Sequence, residues 1–522
     1  MSGSKLPHKP SLMGKFLNTI EAVGNKLPHP IALFAWLSVL MVVISMVCSW
    51  LGVSATGTLV VSGVLAETTV ETVNLFTAEG LAWMLTSAVT NFTSYAPLGT
   101  VLVAMLGVGV AEHSGLISAV LKRTVQITPK SLICPVVVFL GVMSNITSDA
   151  GYVVLIPLGA MVFRAYGRHP MAGLAAAFAG VSGGFSANLM VGVLDPMLQG
   201  ISQEAAYLVD PNYQVNIMGN YYFLFVSTFL ITILGTLVTD YIVEPRLGKF
   251  DQAVLGEDDT LRSLTDAERS GLKVAGIAFW GFALVVVGLC IPANSFLRAS
   301  DGSLTGSGSV LIGGIIVLIA LFFMIPAIAY GKKAGTMTNT VAVCNSLCKS
   351  MESMGPFVAL AFVASQFIAY FNYTKLGTIL AINGAHVLGE LNIGLIPLMV
   401  LFVLFSAFIN LFMGSASAKW NIMAPVFVPM FMMLGYSPEL AQLAYRIGDS
   451  STNLITPLMS HFAIILIFAQ KYDKKAGLGT LTATMLPYSI AFLVCWTVMM
   501  IIWLALGLPI GVDTGLFYTP VV

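Results

Sequence analysis

Lys419, Arg446 and Asp449 lie deep in an overwhelmingly apolar sequence, beside a dense run of Ser, Thr and Asn. That stretch reads GSASAKWNIMAPVFVP, then a turn at Leu434-Gly435-Tyr436-Ser437-Pro438, then YRIGDSSTNLITP. A charge in hydrocarbon costs roughly 2.5–3.5 kcal/mol on insertion scales. Groups that expensive are expected where they line a cavity or bind something, so Ser415 to Pro457 reads as half of a transport site.

Each residue type carries its own chemistry and its own bland alternative. Arg446 offers a planar fork of donors suited to a carboxylate or sulfonyl oxygen. Its spacing from Asp449, i,i+3, equally fits a structural ion pair on one helical face. Asp449 reads as a proton acceptor or cation ligand, since a carboxylate in low dielectric is easily retuned. Trp420 offers an aromatic face for stacking; interface anchoring or packing is the alternative. Lys419 binds or snorkels. Ser417 belongs to the same polar run. Asn188 and Asn453 end similar polar runs and read as sodium or substrate-carbonyl ligands, against a role in hydrogen-bonding a broken helix. Asn91 lies at an expected hairpin tip. Asn91 and Asn145 also begin glycosylation sequons, discounted because both should lie at membrane depth. Pro438 and Pro457 read as helix-break or hinge positions.

The elements that position these residues must be membrane helices. The chain has 522 residues, 57% of them hydrophobic and 9% charged, with a mean hydropathy of +0.90. Soluble proteins carry about 25% charged residues. A polytopic, all-α membrane protein follows; a β-barrel would show short alternating segments. Acidic and basic residues balance at 24 each, and no basic stripe points to nucleic acid. The six cysteines show no CxxC or metal spacing. Cys344 and Cys348 share a helix face and read as packing. No HExxH or His/Glu cluster supports an enzyme.

Residues 1–29 carry four lysines against Glu21 and are expected in the cytoplasm. The first apolar run is too long for a cleaved signal and reads as an anchor that stays. Residues 30–243 form a first membrane half, with spans at 30–52, 98–120 and 217–243 and two further apolar runs at 131–147 and 150–166. Residues 53–80, with three Glu and no Lys or Arg, read as an external hairpin or cap. Residues 81–97 are too short and too polar to span and read as a re-entrant hairpin; 171–204 read as an interrupted helix facing a cavity. Residues 244–273 are a cytoplasmic linker in which Thr265-Asp266-Ala267-Glu268 is a capping box. Residues 274–507 form a second half, with a hairpin at 336–355. Residues 508–522 form an external tail.

The halves repeat each other. Pro157, Gly167 and Pro170 pair with Pro425, Gly435 and Pro438 at one constant offset. After a short gap Ser186-Ala187-Asn188-Leu189-Met190 pairs with Ser451-Thr452-Asn453-Leu454-Ile455. Opposite loop charges mark the second copy as inverted. Inverted repeats with broken helices are the mark of secondary transporters, with the site where the repeats meet.

With these motifs in place, SASAKWN, the Pro438 turn, YRIGDSSTNLITP and the SANLMVGVLDP run ending at Asp195-Pro196, the chain resembles the AbgT family of p-aminobenzoyl-glutamate transporters over residues 30–507. The resemblance implies about nine transmembrane helices plus two re-entrant hairpins, and a homodimer in the bacterial inner membrane. It places site residues at Asp195, Trp420, Pro438, Arg446, Asp449 and Pro457. It implies movement of aminobenzoyl compounds: export of p-aminobenzoate-type metabolites and sulfonamides driven by protons, or uptake of p-aminobenzoyl-glutamate coupled to sodium. Sodium is expected at Asn188, Asn453 and Asp449. The partners so implied are a small-molecule substrate, membrane lipid and a second copy of the chain. No cofactor is expected beyond the coupling proton or Na+.

Overall fold

The structure, a computed structural model, describes residues 30–61, 64–147, 151–248, 250, 264–304, 309–456, 459, 461–474 and 476–520. Pro457, expected at the site, lies outside the described residues, as do residues 1–29 and 251–263 of the expected linker.

Among the described residues, seven helical stretches are long and apolar enough to cross a membrane: Pro30–Trp50, Ala78–His113, Tyr221–Leu247, Asp266–Cys290, Ile315–Ala334, Gly355–Tyr373 and Leu478–Ala505. The first is α1. The second divides into α2 (Ala78–Thr93) and α3 (Ala96–His113). Helix α4 (Leu116–Ile127) follows. Apolar side chains point outward: on Asp266–Cys290, Ile277, Trp280 and Leu284 are all about 70% exposed. In water that surface would be a liability, but in a bilayer the hydrocarbon is its solvent. The capping box expected at Thr265 opens this helix, with both of its hydrogen bonds formed.

Between α1 and α2, strands β1 (Ser54–Val61) and β2 (Val64–Glu71) pair antiparallel, with Ser54 opposite Glu71. This is the hairpin anticipated for residues 53–80.

Eight shorter helices form two units of the same order. Unit one holds α5 (Ile133–Ser144), α6 (Ile156–Ala165), α7 (Pro170–Phe178) and α8 (Leu194–Ala206). The long helix α9 (Tyr221–Val238, continuing to Leu247) follows it. In the second half, α10 (Asp266–Cys290), α11 (Ile315–Ala334), α12 (Thr340–Ser353), α13 (Gly355–Tyr373) and α14 (Leu376–Glu390) precede unit two. Unit two holds α15 (Leu395–Asn410), α16 (Ala416–Met433), α17 (Pro438–Thr452) and α18 (Phe462–Tyr472), and α19 (Leu478–Ala505) closes the bundle.

The helix–break–helix hairpins sit inside these units, not where the sequence placed them. The 81–97 stretch is a single capped helix, α2, and Asn91 to Thr93 form its last turn. The 336–355 stretch is likewise one helix, α12, capped by Asn339. The true reversals are α5–α6 and α15–α16. A Cβ on Gly159 of α6 would lie 3.3 Å from Val137 of α5. Phe402 of α15 packs on Phe427 of α16 with ring centroids 4.8 Å apart. Helix α5, at 12 residues, is about 18 Å long and cannot cross about 30 Å of hydrocarbon. Apolar content alone does not distinguish such an arm from a span.

The repeat punctuation falls at equivalent places. Gly167 (φ +75°) and Gly435 (φ +84°) each take the left-handed conformation in the turn that precedes the broken helix. Pro170 and Pro438 each open that helix at its first position, where a missing N–H costs nothing. The first turn sits at the C-terminal end of α9, where Glu244 receives Arg168 and, at 3.3 Å, the His169 backbone N–H. The second sits at the N-terminal end, where Glu439 accepts the Asn216 N–H at 3.0 Å and Asn220 donates to the Glu439 carbonyl at 2.8 Å. The two turns therefore sit at opposite ends of α9.

Candidate functional site

Both units break their last helix, and the breaks meet. After α7 the chain runs through a wide i→i+5 turn at Ala179–Gly183 and irregular backbone before α8. After α17 it tightens at Asn453–Ile455 and resumes at α18. The Ser186 N–H donates to Ser450 Oγ at 3.1 Å across the contact. Tyr152 of unit one stacks on His461 of unit two at 4.4 Å. Backbone groups freed from helices are tolerated at such depth only where protein or a cavity satisfies them.

Two buried ion pairs flank this contact. Arg446 Nη2 bonds Asp195 Oδ1 at 2.7 Å and donates to the Ser186 carbonyl at 3.3 Å. Arg446 Nε is buried without a hydrogen-bond partner among the described residues. Asp195 sits in the first turn of α8, where the helix dipole favours an anion. Its Oδ2 accepts the Gly192 N–H at 2.7 Å. A narrow cleft lined by Asn188, Met190, Asp195, Asn220 and Tyr221 reaches this carboxylate. Asn188 therefore shares a cleft with the Arg446 pair, and its Oδ1 caps Met190 N–H at 3.3 Å.

The second pair joins Lys419 to Asp449, and Lys419 also donates to Asn410 Oδ1. Lys419 is 1% exposed, so it does not snorkel as a surface lysine would. The Asn410 amide donates to the Asp449 carbonyl (2.7 Å), Thr452 Oγ1 (2.8 Å) and Asn453 Oδ1 (2.9 Å). Asn453 Nδ2 lies 3.4 Å from Asp449 Oδ2.

The expected i,i+3 pairing of Arg446 with Asp449 is replaced by these two cross-helix pairs. Three residues advance a helix by about 300°, so the two side chains diverge by about 60°. That divergence aims one at unit one and the other at α15 and α16.

Trp420 stacks on Tyr445, with centroids 4.5 Å apart and planes at 25°. Its Nε1 donates to Ser202 Oγ at 2.9 Å, and Ser202 donates to Gln442 Oε1 at 2.8 Å. Tyr445 Oη donates to the Ala416 carbonyl at 2.6 Å. The indole is fully buried, so its stacking partner is a tyrosine of the protein.

Asp195, Arg446 and Asn188 thus gather at one pair, and Asp449, Asn453, Lys419 and Trp420 at the other. Ser417 sits in the first turn of α16 with its hydroxyl 3.4 Å from Ser415 Oγ. Pro438 opens α17. Asn91 belongs elsewhere, donating to Gln366 Oε1 at 3.0 Å in a separate cavity. The proposed sodium trio is split, because Asn188 lies in the Asp195 cleft. The oxygens of Asp449, Thr452 and Asn453 converge instead on the Asn410 amide nitrogen. Sequence reasoning missed Asn410, Ser202, Gln442 and Tyr445. The last two stand four residues before Arg446 and Asp449, on the same polar stripe.

Three comparisons agree with this architecture. The AbgT putative transporter family matches residues 15–518. The p-aminobenzoyl-glutamate transport protein of Escherichia coli (strain K12) is 39% identical over 511 residues, covering 98% of both chains. The Alcanivorax borkumensis YdaH transporter superposes with a TM-score of 0.87 at 45% identity, over 93% of this chain and 100% of its own. Neisseria gonorrhoeae MtrF, whose structure illuminates a class of antimetabolite efflux pumps, superposes with a TM-score of 0.88 at 45% identity, over 94% and 97%. Family coverage, relatives of full length and a bundle of apolar helices lead to one conclusion: the chain is a multi-pass membrane transporter, not an enzyme, and belongs to the AbgT family.

Proposed function

We propose that the protein exports p-aminobenzoate-type folate metabolites and sulfonamide antimetabolites from the bacterial cytoplasm in exchange for protons. In this reading it is a homodimer of the inner membrane with a cytoplasmic N-terminus. One observation carries it: two buried carboxylates, Asp195 and Asp449, each hold a cationic side chain beside the contact between two broken helices. An aromatic amine or sulfonamide N–H is a hydrogen-bond donor and needs an ionised carboxylate to accept it. A proton on the same carboxylate removes that acceptor. Substrate and proton then compete for one group, which is the condition for exchange. Arg446, with an unpartnered Nε, supplies donors for the carboxylate or sulfonyl oxygens at the other end of the cargo.

The experiment uses proteoliposomes loaded at acidic pH in neutral buffer with a labelled sulfonamide outside. Accumulation should follow the pH gradient and vanish when an ionophore collapses it. Accumulation that persists after collapse rejects proton exchange.

A second reading, sodium-coupled uptake of p-aminobenzoyl-glutamate, has one observation in its favour. The Asp449 carbonyl, Thr452 Oγ1 and Asn453 Oδ1 converge on the Asn410 amide nitrogen. Rotation of that amide would present its own oxygen and leave four oxygens of the kind a hard cation takes. Transport indifferent to sodium removes this reading.

A further inference from the structure

Asn91 leads to a cavity that the ion-pair site does not use. It has a volume of about 400 Å³ and lies between α2, α8 and α13. Trp83 and Tyr373 form one wall, their rings stacked with centroids 4.1 Å apart and planes at 26°. Glu204, Asn372 and Lys375 supply polar groups. Its mouth lies near the β-hairpin, because Thr374 accepts the Val73 N–H at 3.1 Å.

A carboxylate at this place needs a reason. Glu204 receives a hydrogen bond from the Ala96 backbone at the start of α3, which uses part of its capacity of about four acceptor sites. Asn372 Oδ1 is buried without a hydrogen-bond partner among the described residues. The cavity therefore presents spare acceptors beside an aromatic face. Such a wall calls for a ligand that brings N–H donors and a flat ring. Lys375 opposes a cationic ligand, and a neutral aromatic amine with an anionic far end fits all three features.

The cavity also backs onto the transport site. Glu204 and Ser202 are two residues apart on α8, so they point about 200° apart around its axis. Ser202 holds Trp420, while Glu204 faces the cavity. Tyr95, on the cavity floor, donates to Asn421 Oδ1 at 2.7 Å, directly beside Trp420.

We infer that this cavity is a second binding station for aminobenzoyl compounds, taking the ring on Trp83 and Tyr373 and the amine on Glu204 and Asn372. Lys375 faces the anionic end of the cargo at the rim. The inference rests on the substrate class given under Proposed function.

Equilibrium dialysis of p-aminobenzoyl-glutamate, and of benzoyl-glutamate lacking the amine, against protein in nanodiscs tests it. The wild-type chain should bind two equivalents of the amine-bearing compound. Glu204→Gln, whose amide oxygen can still accept from Ala96, should weaken one of them at least tenfold and abolish its preference over the amine-free compound. Trp83→Ala should weaken the same equivalent, and Arg446→Ala should remove the other. A single wild-type equivalent, lost in Arg446→Ala but untouched in Glu204→Gln and Trp83→Ala, overturns the second station and leaves the proposed function standing. No wild-type binding of either compound overturns the substrate class, and the station with it.

Discussion

Arg446 of one broken helix and Asp195 of the other lie 2.7 Å apart, both largely withdrawn from solvent, and this pair ties the two units together. Their separation in sequence puts the bond beyond any local rule. Removing one member of a buried pair strands a charge, at a cost of about 3–5 kcal/mol. Arg446→Gln and Asp195→Asn should each lower the thermal midpoint in detergent and abolish transport. The double variant Asp195→Asn/Arg446→Gln should be more stable than either single one. If its loss equals the sum of the two, the residues do not act as a pair.

Lys419 and Asp449 obey the same logic with a third member. Lys419→Met leaves Asp449 buried with only Asn410, Tyr445 and Asn453 near it. Asp449→Leu, which removes both side-chain oxygens, leaves a buried ammonium against Asn410. The second loss should be the larger, because an amine has no acceptor capacity to share with its neighbours. Chemical denaturation of the two variants in the same detergent ranks them. The reverse order would mean that Asn410 compensates the ammonium fully.

Trp420 holds its place by a stack and a hydrogen bond that can be separated. Trp420→Phe keeps a ring over Tyr445 and loses the bond to Ser202, at about 1 kcal/mol. Ser202→Ala also loses the bond to Gln442 and should cost more. A double-mutant cycle should give a coupling near the whole of the Trp420→Phe effect. Independent effects would place the indole nitrogen outside the Ser202–Gln442 chain.

The charged members of this site were legible because a charge in an apolar run stands out against its surroundings. Their partners were not. The spacing of Arg446 and Asp449 speaks only for their own helix, and it lost to Asp195 and Lys419 on other elements. Asn410 and Ser202 were invisible for a different reason: one short polar residue in a membrane helix is commonplace, and only three-dimensional convergence distinguishes these two. Gly167 with Gly435 and Pro170 with Pro438 fall in two turns of the same kind, since turns constrain backbone chemistry tightly. The hairpins were misplaced because polar content drew attention to 81–97 and 336–355. The decisive quantity was helix length between breaks, about 1.5 Å per residue against the bilayer thickness.

Gly448 sits one residue before Asp449, where α17 meets α15. A Cβ there would lie 2.4 Å from the Val403 carbonyl and 2.8 Å from the Ala407 nitrogen. Both are backbone atoms and cannot swing aside. Gly448→Ala should push the two helices apart, cost about 1–3 kcal/mol as overpacking, and displace Asp449 from Lys419. Transport should fall more than stability does. An alanine variant with wild-type transport would show that the interface yields freely.

His169 gives the fold a pH dependence at the α9 end that holds Glu244. It caps α7 by accepting the Met171 N–H on Nδ1 at 3.2 Å, which requires that nitrogen to be unprotonated. Burial pulls its pKa below the ordinary 6.5, against opposing pulls from Glu244 and Asp473. Arg168, its neighbour, is tied to Asp240 and Glu244. The sign follows from proton counting: in this window the unfolded chain binds more protons, so stability rises with pH. The cap is fully present above pH 6.5 and weakens as pH falls through and below that value, up to the ~1 kcal/mol a cap is worth. Hydrogen exchange at the first turn of α7 should accelerate between pH 7 and pH 5 beyond the intrinsic pH trend. In His169→Asn, which caps without titrating in this range, that excess should vanish, and its persistence would assign the pH response to another group.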